Sequence, residues 1–191
     1  MKWLSIGASI VMTGAVLFCG CRLFAHFRDR KTDNSETVEC DGGVVTHFDT
    51  DAPKTIESTE ITVFKCEFSL IDAGEPDELG NAVYTLEAYV KDGVVAGSIE
   101  SYDRYSSRMN ATFETDITFM EKLQEIAVKY SLAELNGQHY KVSGLPEMYG
   151  SKLSVEYASG ESIYAYNNQS RFLSYECMKE LVDLFAGQDK Q

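Results

Sequence analysis

The chain has 191 residues, 44% of them hydrophobic, 25% charged and 12% aromatic, with three prolines. This is the composition of one globular domain with a real core, and it excludes a wholly disordered, collagenous or coiled-coil chain. Lys plus Arg number 17 against 30 for Asp plus Glu, a formal charge of −13, and a surface that acidic repels phosphate backbones, so nucleic acid is excluded as a partner.

In chain order, Met1 and Lys2 precede Trp3 to Gly20, a stretch without a formal charge that holds Ile6, Ile10, Val11, Val16, Leu17 and Phe18. One basic residue, an apolar run and then small residues make the profile of an export signal, so residues 1–20 are read as a signal peptide. Its end, Leu17-Phe18-Cys19-Gly20-Cys21, resembles the signal of bacterial lipoproteins. There a small residue precedes a cysteine whose thiol is linked to diacylglycerol and becomes the mature N-terminus. The resemblance places lipidation at Cys21, and Phe18 and Cys19 stand where other residues are commoner.

The rival is an uncleaved anchor from Trp3 to about Phe27, carrying Arg22 near its end to snorkel. That helix would have Arg22, Arg28, Arg30 and Lys31 on its C-terminal flank against Lys2 alone. The positive-inside tendency would then leave the folded domain in the cytoplasm; cleavage removes this conflict. An ordinary core helix would carry a fuller polar face than Ser5, Ser9 and Thr13 provide.

Residues 21–59 read as a lipid-anchored flexible tether. From Asp29 to Glu57 there is little periodicity, Gly42, Gly43 and Pro53 act as breakers, and Val44, Val45 and Phe48 suggest one short strand. The basic cluster Arg22 to Lys31 could lie on anionic headgroups while the acidic domain stands away.

A single α+β domain is expected over 60–191. Ile61 to Ile71 is rich in β-formers. Ala82 to Val90 and Val94 to Tyr102 flank Asp92-Gly93, a two-residue type I′ hairpin signal. That turn sets Val90 opposite Val95, Ala88 opposite Gly97 and Leu86 opposite Ile99, with Thr85, Glu87, Ser98 and Glu100 on the other face. A helix follows Asp116, whose carboxylate can cap it, with Phe119, Leu123, Ile126, Ala127 and Tyr130 at helical spacing. Leu135 to Gly150 reads as loop or short extended pieces.

Lys152 to Tyr157 and Ser162 to Tyr166 form a second hairpin around Ser159-Gly160. A three-residue loop pairs Val155 with Ile163, and a two-residue loop pairs it with Tyr164. The last helix runs from an N-cap at Ser174 to about Ala186, with Leu173 stapled on Met178 and Gly187 closing it. The expected architecture is an antiparallel sheet of about five strands built from hairpins, with two helices packed on one face.

The chemistry-bearing residues are sparse. Beyond Cys19 and Cys21 there are Cys40, Cys66 and Cys177. After lipidation this odd number makes no complete disulfide framework, and a Cys40–Cys66 bond is left open. Cys66 reads as a core thiol. Cys177, in the first turn of a helix, reads as buried, with a lowered pKa as the rival. His26, His47 and His139 have no metal-pair spacing. No nucleophile elbow, His-Glu-x-x-His or phosphate loop occurs, so no catalytic residue, metal ligand or cofactor is assigned.

The acidic loop of Asp72, Glu75, Asp77 and Glu78 lacks the spacing of a calcium loop and reads as a solvated turn. Asn110-x-Thr112 and Asn168-x-Ser170 fit a glycosylation sequon that carries no meaning in a bacterial lipoprotein. Eleven tyrosines invite a saccharide-binding reading, since exposed rings stack on sugar faces. Tyr102, Arg104, Tyr105 and Arg108 are the candidate ligand surface, beside the alternative that tyrosine is simply a good half-buried strand residue.

Leu135-Asn-Gly, Val142-Ser-Gly-Leu-Pro, Leu153-Ser-Val-Glu-Tyr-Ala-Ser-Gly-Glu, Ile163 with Asn167-Asn168-Gln169, and the Met178 to Phe185 helix are together similar to uncharacterised lipoproteins of Gram-positive bacteria. The resemblance implies a location, the cell membrane on its extracytoplasmic side through the lipid anchor, and no reaction. The expectation is a membrane-anchored extracytoplasmic lipoprotein whose domain binds a protein or carbohydrate ligand. Its rivals are a cell-envelope hydrolase using loop carboxylates and an assembly or inhibitory protein using a sheet edge.

Overall fold

The computed structural model describes residues 36–40, 43–49, 51–71, 79–80, 82–103, 107–144 and 150–190. The signal segment with Cys21, the basic cluster up to Lys31, the acidic loop 72–78, and Arg104 and Tyr105 lie outside the described residues. Among the described residues no helix is long and apolar enough to cross a membrane.

The described part is α+β. Its strands are β1 (Glu36–Cys40), β2 (Gly43–Asp49), β3 (Ile61–Ser69), β4 (Val83–Lys91), β5 (Val94–Tyr102) and β6 (Ser107–Thr115), then β7 (Gln138–Ser143), β8 (Ser151–Tyr157) and β9 (Ser162–Asn167). The helices are α1 (Thr118–Lys129) and α2 (Tyr175–Ala186). One sheet takes all the described strands in the order β1-β2-β7-β9-β8-β3-β4-β5-β6. It is mixed, because β7 runs parallel to β9 while every other neighbouring pair is antiparallel. This corrects the expected antiparallel sheet of about five strands.

The β4–β5 hairpin has the register its turn dictates, with Val90 opposite Val95, Ala88 opposite Gly97 and Leu86 opposite Ile99. Asp92 and Gly93 both take positive φ, 51° and 80°, as a type I′ turn requires. The β8–β9 hairpin resolves to the three-residue loop. Val155 faces Ile163, Tyr157 N–H bonds the Glu161 carbonyl at 3.0 Å, and Gly160 sits at φ 88°. Strand alternation then sends Phe64, Cys66, Phe68, Leu86, Ala88, Leu153 and Val155 into one buried face.

Both helices cover that face. Phe119 from α1, Phe185 from α2, Phe113 from β6 and Phe64 from β3 meet with ring centroids 5.0–6.2 Å apart, in the tilted and edge-on geometries aromatic pairs prefer. The Asp116 carboxylate accepts from Thr118 N–H at 2.9 Å at the start of α1. Ser174 caps α2 by accepting from Cys177 N–H at 3.2 Å, and Leu173 and Met178 are both buried. Gly187 differs from expectation: its φ is −68°, and the chain tightens into a 3-10 turn, Gly187–Lys190, rather than entering the left-handed region.

The segment from Leu135, expected as loop or short extended pieces, supplies one such piece, β7, bracketed by Gly137 and Gly144 at φ 86° and 97°. The parallel β7–β9 contact has only His139 opposite Tyr166 and Tyr140 opposite Asn167. Two buried asparagines complete it. Asn136, just before β7, accepts from Tyr164 N–H at 2.8 Å and donates to the Ser162 carbonyl at 2.9 Å. Asn168, just after β9, accepts from Val142 N–H at 2.9 Å and donates to the Val142 carbonyl at 2.8 Å. Each side-chain amide takes the place of a peptide group at one end of the ladder.

The fold also takes in residues N-terminal to the expected boundary at Glu60. β1 and β2 extend the sheet through β7, and the anticipated strand at Val44, Val45 and Phe48 is β2. Residues 53–58 run across the start of β9: Asn136 Nδ2 donates to the Pro53 carbonyl at 2.9 Å, and the Glu161 carboxylate accepts from Glu57 and Ser58 N–H, each at 3.0 Å.

Candidate functional site

With α1 and α2 on one side, no described α-helix covers the opposite face of the central sheet. The registers align one residue from each strand into a cross-strand row, His139, Tyr166, Lys152, Glu67, Thr85 and Glu100, on β7, β9, β8, β3, β4 and β5. Side chains at opposed positions share a face, and the His139 and Tyr166 rings stand 5.0 Å apart at one end of this row. In the row two residues before it along β3, Lys65 closes a salt bridge to Glu87 at 3.2 Å.

Beside the row, where β3 and β9 end and β8 begins, a cleft of about 490 Å³ opens, within the ~300–1,000 Å³ range of small-ligand sites. Glu67, Lys152 and Val83 line it between Tyr166 and Tyr102. Tyr102 is 47% exposed; partial burial, and then the neighbouring Glu67 carboxylate, raise its phenol pKa, so the hydroxyl stays protonated and able to donate. Asp103, also on the cleft wall, accepts from Arg108 Nε at 3.1 Å. Arg108 packs against Gly80, where an added Cβ would run into the guanidinium.

Of the four residues read from sequence as a ligand surface, the structure thus places Tyr102 in the cleft and Arg108 behind it, holding Asp103; Arg104 and Tyr105 lie outside the described residues. Glu67, Lys152 and Tyr166 were missed. Their strand alternation was legible, but β3 pairs with β8 across more than eighty residues of chain, and no local signal announces that pairing.

The other candidates are structural. Cys66 is free and buried, and burial, then the nearby Cys177 and Glu67, push its thiol pKa well up. A Cys40–Cys66 disulfide is not formed: β1 and β3 are five places apart in the sheet, about 24 Å at ordinary strand spacing, against at most ~7 Å for a bridge. Cys177 is also free; burial drives its pKa up to about 12, outweighing the helix N-terminus. Among the described residues, the Asp116, Glu161 and Glu180 carboxyls move in pKa. All three are lowered by hydrogen bonds made within the fold, to Thr118, to the 57–58 backbone with Ser159, and to Lys129 with Tyr130. None of the three lines the cleft.

Among the described residues no group of His, Cys, Asp and Glu is placed to hold a metal ion. β6 is an edge of the sheet, and a bulge at Arg108, the extra residue between the Met109–Ser101 and Ser107–Tyr102 pairs, breaks its ladder, a device that discourages strand addition. Comparison with protein-family models, with curated proteins and with solved structures finds no match to this chain.

Proposed function

We propose that the chain is an extracytoplasmic lipoprotein, anchored through diacylglycerol on Cys21, whose open sheet face binds a saccharide in the cleft between Tyr102 and Tyr166. The observation that carries the binding reading is the division of the sheet. One face is sealed by α1 and α2, and the other sets two tyrosines, two carboxylates and an ammonium around a concave, solvent-facing surface. Ring faces of tyrosine suit the C–H face of a sugar, and the charged groups suit its hydroxyls.

The anchor rests on the Leu17 to Cys21 pattern and on the resemblance of the C-terminal segment to Gram-positive lipoproteins. With β1 starting at Glu36, the stretch proposed as a spacer shortens to residues 22–35. The hydrolase reading has less support, because the Asp116, Glu161 and Glu180 carboxyls have lowered pKa values and lie away from the cleft, while Asp103 on its wall is paired with Arg108. The edge reading is weakened by the bulge at Arg108.

The test is a glycan array probed with the protein and with its Tyr102→Ala and Tyr166→Ala variants. The reading expects a glycan signal in the wild type that falls about five-fold or more in each variant, the usual loss for an aromatic anchor. Equal signals from all three proteins, or none from the wild type, would remove it.

A further inference from the structure

We infer that the cleft selects an amino sugar carrying both a free amine and a carboxylate. This rests on the binding reading above and adds the charge of the ligand. Glu67 and Lys152 stand directly opposite in the β3/β8 register. Both are exposed and both line the cleft. Opposite charges facing each other across antiparallel strands are close enough to pair, with Cβ atoms ~4.5–5.5 Å apart.

The sheet face does pair its charges next door, where Lys65 meets Glu87. Glu67 and Lys152, in contrast, make no salt bridge with each other or with any other described residue. The third charge on the wall, Asp103, is held by Arg108. What faces the cleft is therefore one anion and one cation, side by side and uncommitted, flanked on the lysine side by Tyr166 and bounded across the cleft by Tyr102.

Three ligand types meet this arrangement differently. A purely anionic sugar gains Lys152 but meets Glu67 and the field of a chain with charge −13. A purely cationic sugar gains Glu67 but meets Lys152. A sugar bearing an ammonium and a carboxylate a few ångströms apart satisfies both residues and adds no net charge. Tyr102, kept protonated, remains a hydroxyl donor beside Glu67.

The experiment titrates four sugars that share one ring into the full-length protein in detergent, followed by NMR. They are muramic acid (amine and carboxylate), glucosamine (amine only), N-acetylmuramic acid (carboxylate only) and N-acetylglucosamine (neither). Muramic acid is expected to bind up to about five-fold more tightly than either singly charged sugar, the scale of one exposed ion pair. Glu67→Gln should erase the advantage of muramic acid over N-acetylmuramic acid, and Lys152→Gln its advantage over glucosamine, with far-UV circular dichroism unchanged in both. Four equal affinities that fall together in Tyr102→Ala would overturn the charge inference and leave the cleft standing. Failure of all four to bind the wild type would overturn both.

Discussion

Replacing Asn168 with alanine should cost about 2–6 kcal/mol of folding stability. The side chain is 3% exposed, and its amide holds both the N–H and the carbonyl of Val142, at 2.9 and 2.8 Å. Alanine leaves both backbone groups buried without a partner, at ~1–3 kcal/mol each. Against a whole-domain stability of ~5–15 kcal/mol, that is a large fraction. Urea denaturation followed by circular dichroism should show a lower midpoint at an unchanged slope.

Asn168→Asp sharpens the test. A carboxylate still accepts from Val142 N–H but sets a charge against the Val142 carbonyl, so its pKa in the folded protein rises above the unfolded ~3.9. The stability of this variant relative to wild type should therefore be best below pH ~3.9 and fall as pH rises through the folded value. Asn110→Ala, at the exposed sequon on β6, should stay within about 0.5 kcal/mol of wild type. An Asn168→Ala protein equally close to wild type would refute the claim that this amide completes the β7–β9 ladder.

Gly97→Ala drives a Cβ into the Phe113 ring and should cost ~1–3 kcal/mol by overpacking, read by the same denaturation. Glu161 titrates below its ordinary value because it accepts from Glu57 and Ser58 N–H, so the contact holds above the ordinary glutamate pKa and is lost as pH falls through the folded one. The protection of those two amides, measured against the exchange rate of a free amide at the same pH, should fall as pH drops below the ordinary glutamate pKa and be low at every pH in Glu161→Ala. Cys66 and Cys177, buried with raised pKa values, should resist alkylation at pH 8 in the native protein and react fully in denaturant, as peptide mapping would show; rapid native alkylation of either contradicts their burial.

What could be read in advance was what is local. Asp92-Gly93 sets a register residue by residue, Ser174 caps a helix three residues before Cys177, and alternation sorts Leu86 from Glu87. The sheet order is not local. β9 enters between β7 and β8, and β3 finds β8 rather than a hairpin partner on its N-terminal side, so the row that joins Glu67 to Lys152 exists only after long-range pairing. β7 was obscured because six residues with weak apolar contrast, Gln138–Ser143, lie between glycines that read as loop. Those same glycines, and the asparagines at 136 and 168, are the signals that frame the strand. Tyr102 was legible as an exposed aromatic at a strand end, while its neighbours in the cleft were not.

The claim on which location and role depend is tested by growing cells with an alkyne analogue of palmitate and immunoprecipitating the wild-type protein and Cys21→Ser. The account predicts label on the wild type and none on the variant, which should keep its unprocessed leader. Label that persists on Cys21→Ser would contradict it.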